Sequence, residues 1–372
     1  MGFVARPFPP MNIKLFHWVP SSALGGIEMA ALTIIQAIPE ATHVIATGDS
    51  TGPATALWRD AGAEVIEVPS WSGMLGVSWS RNWARFVRAR QIERLICWSP
   101  TRLPLLLSPL SKDVRCVVHL GNVGRMSLRA RVQDGLSRAI LRPTCRPVIA
   151  ACSRSVLDSM ASERAFGGLE RMVIPNSVRG VFFQEPPPGS VVDGVLRKWG
   201  MVARLDGLKD HRCLIEAFAM LPDELGMSLE IVGAGVLGES LERLVAELDL
   251  GERVCFLGAL PDPQAALRRW DGFVFSTTAA EGFGIAVAEA MASGLPCVLS
   301  DLPVMREVAG DDAYYATAGS PSAFADVLAA VASDPAAARL KGLSARRRAR
   351  LLYAAETCAE SYKKALGLPV KQ

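Results

Sequence analysis

Short, continuously apolar runs recur along the whole chain, each separated from the next by a longer amphipathic stretch. This alternation restricts the possible folds more than any other feature. In the first half the runs are NIKLFHWV (12–19), THVIAT (42–47), AEVIEV (63–68), RLICW (94–98), RCVVHL (115–120) and PVIAAC (147–152). In the second half they are GMVARL (200–205), SLEIVG (228–233), RVCFLG (253–258), DGFVFS (271–276) and PCVLS (296–300). Runs apolar at every position, rather than at every second one, predict strands buried on both faces. The stretches between them, such as GIEMAALTIIQAI after the first run, carry helical periodicity. In the second half this pattern predicts helices at about 211–220, 238–248, 263–269, 284–293, 321–332 and 344–366. Strand, helix, strand at this spacing implies parallel sheets covered by helices.

A chain of 372 residues exceeds one ordinary core, so the repeated plan predicts two doubly wound, Rossmann-like domains with an interdomain cleft where ligands bind. Between the halves, VIPNSVRGVFFQEPPPGSV (173–191) reads as an ordered linker running into a stiff, proline-rich loop. The boundary is placed at residue 178: domain 1–178, then domain 179–372, with the last helix a candidate to pack back on the first domain. Charge divides at the same point. Residues 1–178 carry 20 Lys and Arg against 12 Asp and Glu, and residues 179–372 carry 20 against 25. A basic half and an acidic half suggest different partners.

No apolar run approaches the roughly 20 residues that span a bilayer. The opening MGFVARPFPP has prolines where an export signal would be unbroken, so a cytoplasmic location is expected. The eight cysteines are scattered without a C-x-x-C pair, which suits buried thiols in a reducing compartment.

Several loop segments carry candidate chemistry. PSSALGGIEMAAL places Gly25 and Gly26 between a strand and the positive end of a helix, an arrangement suited to phosphate. VARLDGLKDH ends a strand with Arg204 and sets Lys209 five residues on. These are two cations at the carboxyl edge of a parallel sheet, the right kind for a diphosphate. EIVGAGVLGESL contains G-x-G-x-x-G at Gly233, Gly235 and Gly238, after a strand and before a helix. VFSTTAAEGFGIAVAEAMASGLP sets Glu281 and Glu289 eight positions apart. Eight steps leave them about 80° out of register on one helix, so Glu281 belongs to a loop and Glu289 to the helix after it. A loop carboxylate suits paired sugar hydroxyls.

Taken together these segments resemble the retaining glycosyltransferases of family 4, the glycosyltransferase group 1 type with the GT-B fold. EGFGIAVAE looks like their E-x7-E signature. GGIE, His119 in VVHLGN, VIPNSV, VARLDGLKDHRCLIEAF and IVGAG…RVCFLG follow in family order over residues 12–310. The resemblance implies that Gly26, beside Gly25, lets the chain pack against the donor's diphosphate and the reacting centre, and that Arg204 and Lys209 bind the diphosphate. It further implies that Glu281 contacts the donor sugar, helped by the backbone from Gly282 through Phe283 and Gly284 to Ile285. Glu289 would hold the nucleotide ribose, Gly233 and Gly235 would line the donor site, and His119 would lie close to the sugar. The chain departs from the pattern at the junction, where Asn176-Ser177-Val178-Arg179 stands for the N-G-V-D that the family favours. Asp210 follows Lys209 where Gly is common. DLPVMREVAG lacks the usual paired glycines but keeps Glu307.

The expected activity is transfer of a sugar from a nucleotide-diphosphate sugar to a glycan or lipid-linked acceptor, with retention, in cell-surface polysaccharide or glycolipid synthesis. Arg204, Lys209 and a helix N-terminus would stabilise the leaving diphosphate. No metal ligand set is apparent, so no metal or other cofactor is expected. Alternatives are a nucleotide-sugar epimerase or phosphorylase on the same fold, an NAD-dependent dehydrogenase resting on Gly233–Gly238, or a non-catalytic sugar-nucleotide binder. Arginines 81, 85, 88, 90 and 94, with Trp79, Trp83 and Phe86 interleaved, form one basic amphipathic cluster. Arginines 125, 129, 131, 138, 142 and 146 form a second. Both suit an anionic membrane surface, hence a peripheral association through the first domain; no nucleic-acid motif accompanies them.

Overall fold

The computed structural model describes residues 13–23, 25–68, 77–99, 106–121, 145–159, 168–184, 196–260 and 262–370. The chain divides into two compact units. One holds residues 1–152, 156–174 and 355–372, and the other 153–155 and 175–354.

The first unit runs β1 (Ile13–Val19), α1 (Gly26–Ala37), β2 (Ala41–Thr47), α2 (Ala54–Asp60), β3 (Glu64–Glu67), α3 (Val77–Arg90), β4 (Arg94–Cys97), β5 (Arg115–Leu120), β6 (Val148–Ala151), α4 (Arg154–Ser159) and β7 (Arg171–Val173). Its seven strands lie in the order β3-β2-β1-β4-β5-β6-β7, every pair parallel. The central strand β1 is buried at six of its seven positions, which is why its sequence shows no polar alternation. Strand order reverses beside β1, the kind of point where open parallel sheets bind ligands.

The second unit runs β8 (Lys198–Val202), α5 (His211–Met220), β9 (Ser228–Val232), α6 (Gly238–Glu247), β10 (Val254–Gly258), α7 (Gln264–Leu267), β11 (Gly272–Phe275), α8 (Ile285–Ala292), β12 (Cys297–Ser300), α9 (Pro303–Ala309), β13 (Tyr314–Ala316), α10 (Pro321–Ser333) and α11 (Pro335–Tyr353). Its sheet order is β10-β9-β8-β11-β12-β13, again parallel throughout. β11 and β12 are fully buried, with α8 packed on both strands and α10 on β12. Both parallel sheets anticipated from the apolar runs are therefore present. β7 and β13 were not anticipated, because three residues are too short to register as an apolar run.

The continuous helix expected over 344–366 is two helices. Ala354 takes an extended conformation (φ −58°, ψ 143°) and ends α11. There Val178 N–H donates to the Tyr353 carbonyl at 2.7 Å, and Val178 bridges to Ala354. The last helix, α12 (Ala355–Ala365), belongs to the first unit and supplies Ala359, Tyr362 and Leu366 to its core beside Ile34, Ile96 and Trp98. Val178 thus belongs with the second unit, and the division falls after Ile174 rather than after Val178.

Candidate functional site

In the second unit the loops leaving the carboxyl ends of β8 and β11 are stitched together. Lys209 forms an antiparallel bridge with Thr277. Asp210 N–H donates to the Ser276 carbonyl at 3.2 Å, and Thr278 N–H to the Leu208 carbonyl at 3.2 Å. The hydroxyls of Thr277 and Thr278 donate to that same Leu208 carbonyl, each at 3.1 Å. Asp210 also caps α5, its carboxylate accepting from Cys213 N–H at 3.2 Å.

This seam brings Lys209 and Glu281 into a direct ion pair, with side chains only 15% and 8% exposed. The other Glu281 oxygen accepts from the backbone of Gly282 at 3.0 Å and Phe283 at 3.2 Å. Lys209 Nζ lies 4.8 Å from the centre of the Phe275 ring. The pair is thus held on both sides: the carboxylate by two N–H groups, the ammonium by an aromatic face. Arg204, by contrast, is 72% exposed and pairs with Asp206 of its own loop at 3.0 Å. It shares the loop with Lys209 but makes no contact with Glu281.

Gly284 has φ +81°, a left-handed conformation that opens α8, and a Cβ there would meet Met305 at 3.1 Å. Phe283 is buried against Tyr353, ring centres 5.3 Å apart and perpendicular, so it anchors the loop rather than facing a ligand. The Gly282 carbonyl accepts the Ser153 hydroxyl at 2.7 Å. Ile285 begins α8, and Glu289 lies in its second turn, half-buried. Burial pushes the Glu289 carboxyl up to about 7; Arg179 pulls it down and Asp262 pushes it further up.

The two glycines after β9 serve packing. A Cβ on Gly233 would lie 1.8 Å from the Ala203 carbonyl oxygen, and one on Gly235 2.3 Å from that of Leu205. Bare backbone lets Leu205 N–H reach the Ala234 carbonyl at 3.0 Å and Leu237 N–H the Leu205 carbonyl at 3.0 Å. The segment from β9 to α6 therefore braces the loop that carries Arg204 and Lys209.

The remaining candidates lie in the first unit. Gly25 precedes α1, and Gly26 is its first residue. A Cβ on Gly25 would sit 2.7 Å from the Glu28 carboxylate, which is buried at this helix N-terminus and raised by that burial. His119 is 1% exposed near the end of β5, and its Nδ1 lies 2.7 Å from the Tyr362 hydroxyl on α12.

Reading the sequence alone missed His211, the first residue of α5. Its ring is buried and held near 4, chiefly by desolvation. The Lys209 backbone, Asp206 and Asp210 favour the proton, and the Lys209 ammonium opposes it. Its signal was adjacency to Lys209. Glu307 turns out to accept from the backbone N–H groups of Arg154 at 2.6 Å and Ser155 at 3.3 Å. Among the described residues no group of three or more His, Cys, Asp or Glu could hold a metal ion.

In α3, Arg81, Arg85 and Arg88 are exposed, and Arg90 pairs with Glu64 at 3.0 Å. Two of the interleaved aromatics, Trp83 and Phe86, do not join that face. Trp83 is fully buried, its indole donating to the Leu106 carbonyl at 2.8 Å, and Phe86 stacks on Trp83 and meets Phe16 edge-on. The Trp79 side chain and Arg125, Arg129, Arg131, Arg138 and Arg142 lie outside the described residues. Arg146 donates to the Gly168 carbonyl at 2.7 Å. Among the described residues no helix is long and apolar enough to cross a membrane.

Residues 189–350 match the sequence profile of the family described as glycosyl transferases group 1. The N-acetylgalactosamine-N,N'-diacetylbacillosaminyl-diphospho-undecaprenol 4-alpha-N-acetylgalactosaminyltransferase of Campylobacter jejuni is 37% identical over 114 residues, 30% of this chain and 30% of that one. The phosphatidyl-myo-inositol mannosyltransferase of Mycolicibacterium smegmatis is 25% identical over 305 residues, 77% of this chain and 75% of that one. Among solved structures, Anabaena Alr3699/HepE in complex with UDP-glucose superposes with a TM-score of 0.79 at 19% identity, covering 96% of this chain and 100% of that chain. The match to the Campylobacter enzyme, and that to the N-acetyl-alpha-D-glucosaminyl L-malate synthase of Bacillus anthracis, span 30% and 39% of those proteins' lengths.

Proposed function

Because residues 189–350 match the group 1 glycosyltransferase profile and the chain has the GT-B fold, we propose that it is a glycosyltransferase of that group and moves a sugar from a nucleotide-diphosphate sugar to a glycan or lipid-linked acceptor, with retention of configuration. The observation that carries this reading is the Lys209–Glu281 pair at the carboxyl edge of the second sheet. An ammonium has three donors, so Lys209 can keep Glu281 and still reach a phosphate oxygen. Arg204, exposed and five residues away, supplies a second cation to the same diphosphate. As the bond between sugar and phosphate breaks, negative charge grows on the leaving group, and fixed cations there lower the barrier.

Glu281 is engaged by Lys209 and two backbone N–H groups, which suits an acceptor for sugar hydroxyls better than a nucleophile. The reading therefore has the acceptor attack from the face that the diphosphate leaves, without a covalent enzyme intermediate. Charge neutralisation is assigned to Arg204 and Lys209, so turnover should survive chelators. The solved relative bound to UDP-glucose makes a uridine diphosphate donor the first to test. The lipid-linked acceptor in the Campylobacter relative's name favours a lipid diphosphate acceptor, met at the membrane through the exposed arginines of α3.

The experiment is turnover of Lys209→Ala and Arg204→Ala with UDP-, GDP- and ADP-sugars, with the product's anomeric configuration read by NMR. A loss of about 10²–10³ is expected for each. Turnover within threefold of the unmodified protein removes the assigned role, and an inverted product removes the retaining mechanism.

A further inference from the structure

At the amino edge of the second sheet, opposite Lys209 and Glu281, a cavity of about 260 Å³ opens between α7 and α11. Leu196, Asp271 and Pro296 line it, and they lead into β8, β11 and β12. Those strands are four or five residues long, so about 13–17 Å of sheet separates the cavity from the candidate site.

The cavity's inner wall is apolar, built from the buried side chains of Leu196, Leu267, Trp270 and Leu295. Among the described residues its charged side chains are three arginines and one aspartate. Asp271 is occupied, one carboxylate oxygen accepting the backbone N–H groups of Arg197 at 3.0 Å and Lys198 at 2.8 Å. Arg346 donates to the Phe183 carbonyl. Arg268 donates to the Gln184 amide oxygen at 2.6 Å, which leaves most of its five donors unused. Arg339, half-buried on α11, makes no hydrogen bond or ion pair among the described residues.

α11 points to a ligand independently. It turns Ala338, Gly342, Ala345 and Ala349 inward and Leu340 and Leu343 outward, the leucines 68% and 49% exposed. A helix shaped by core packing alone would do the reverse. Small residues face inward because the contact is tight: a Cβ on Gly342 would lie 2.3 Å from the Gly294 carbonyl oxygen. That contact does not require leucine on the outer face, and Leu343 borders the cavity.

An inorganic anion would satisfy Arg339 and leave the apolar wall wet. A hydrocarbon would cover the wall and leave the guanidiniums unpaired. A molecule that does both has an anionic head and an apolar tail. We propose that this cavity binds a single-chain phosphate monoester, its head on Arg268 and Arg339 and its chain against Leu267, Trp270 and Leu295. Leu343 and Leu340 cover the part of the chain that projects. A phosphate monoester carries nearly two negative charges and three acceptor oxygens, which suits two forked guanidiniums. The site is separate from the nucleotide-sugar reading and does not rest on it.

The probe is decyl phosphate at submicellar concentration, followed by calorimetry, with inorganic phosphate and decanol as its two halves. Decyl phosphate should bind at least about tenfold more tightly than either half. Arg339→Gln and Arg268→Gln should each weaken it about tenfold. Leu343→Asp, which sets a like charge at the mouth, should weaken it by more than about tenfold. Binding should slow hydrogen exchange in peptides covering 264–271 and 293–296. Should Arg268→Gln fail to fold, Arg339→Gln and Leu343→Asp decide, since Arg339 holds no partner and Leu343 is half exposed. The proposal is overturned if decyl phosphate does not bind, if either half binds as tightly, or if Arg339→Gln and Leu343→Asp bind it undiminished.

Discussion

Acid should unlock the first unit through a chain of hydrogen bonds that leaves no room for an extra proton. His43 Nε2 lies 2.9 Å from the Ile38 carbonyl, which can only accept, so this nitrogen carries hydrogen. The neutral ring's Nδ1 is then bare, and His17 Nε2, 3.0 Å away, must donate to it. His17 Nδ1 is bare in turn and accepts the Trp98 indole N–H at 3.1 Å. A proton added to either ring would set two donors face to face. Both rings are buried, and burial depresses both; His43 lowers His17 further, while the Ile38 carbonyl and Glu40 partly offset the effect on His43.

Below the unfolded value of 6.5 the unfolded chain gains protons that the folded unit refuses. The contribution is therefore complete above that value and is lost as pH falls through it. A ring that stays neutral in the folded unit loses about 1.4 kcal/mol from about pH 7.5 to about pH 5.5, so the pair loses at most about 2.7 kcal/mol. His43→Gln keeps an amide to donate to Ile38 and a carbonyl to accept from His17, and should halve that loss. The assay is urea unfolding at both pH values, read from hydrogen exchange of peptides covering β1 and β2. His211 and Glu289 lie in the second unit and are common to both proteins, so the difference isolates the relay. An equal loss in the variant and the unmodified chain would refute the reasoning.

Gly233→Ala forces a Cβ into the Ala203 carbonyl and should lower stability by about 2–4 kcal/mol; a thermal melt within one degree of the parent contradicts the packing role. Thr278→Val removes one donor to Leu208 and the weak 3.4 Å acceptor for Ala280 N–H while keeping the backbone bonds. It should cost about 1 kcal/mol of stability. Its turnover should fall about tenfold, because the Lys209–Glu281 seam loosens; a melt that drops with turnover intact separates the two effects. Replacing Arg81, Arg85 and Arg88 by glutamate should abolish co-sedimentation with anionic vesicles at low salt; retained binding excludes α3 as the contact.

The parallel sheets were legible because fully buried strands leave a one-dimensional trace, an apolar run with no alternation. Residues whose role depends on a distant partner were not. Lys209 and Glu281 were each suspected, but their pairing spans 72 positions and no local periodicity encodes it. Gly233 and Gly235 matched a phosphate-loop pattern, yet the same spacing also meets the needs of two loops pressed backbone to backbone. In α3 the arginines and aromatics alternate as a membrane-facing helix would. Burial of Trp83, with Phe86 stacked on it, shows that these two aromatics serve the core. The break at Ala354 had no sequence marker, since Ala is a good helix former and tertiary contacts with Val178 override its propensity.

What the second unit builds at its carboxyl edge is a single piece rather than a set of separate side chains. The Leu208 carbonyl accepts from one N–H and two hydroxyls of Thr277 and Thr278. Thr278 passes the constraint on, since its carbonyl accepts Glu281 N–H at 3.1 Å. The Gly233 and Gly235 backbone presses from the other side on residues 203–205. Lys209 can then move only if the loop bearing Glu281 moves with it. On the proposed reading, the cation for the leaving diphosphate and the carboxylate for a sugar hydroxyl would thereby be held at one fixed separation before any ligand arrives. That preorganisation is where a fixed electrostatic site gains over water, whose dipoles must reorient as charge develops. Arg204, outside the seam, largely exposed and paired with Asp206, is not bound by that constraint.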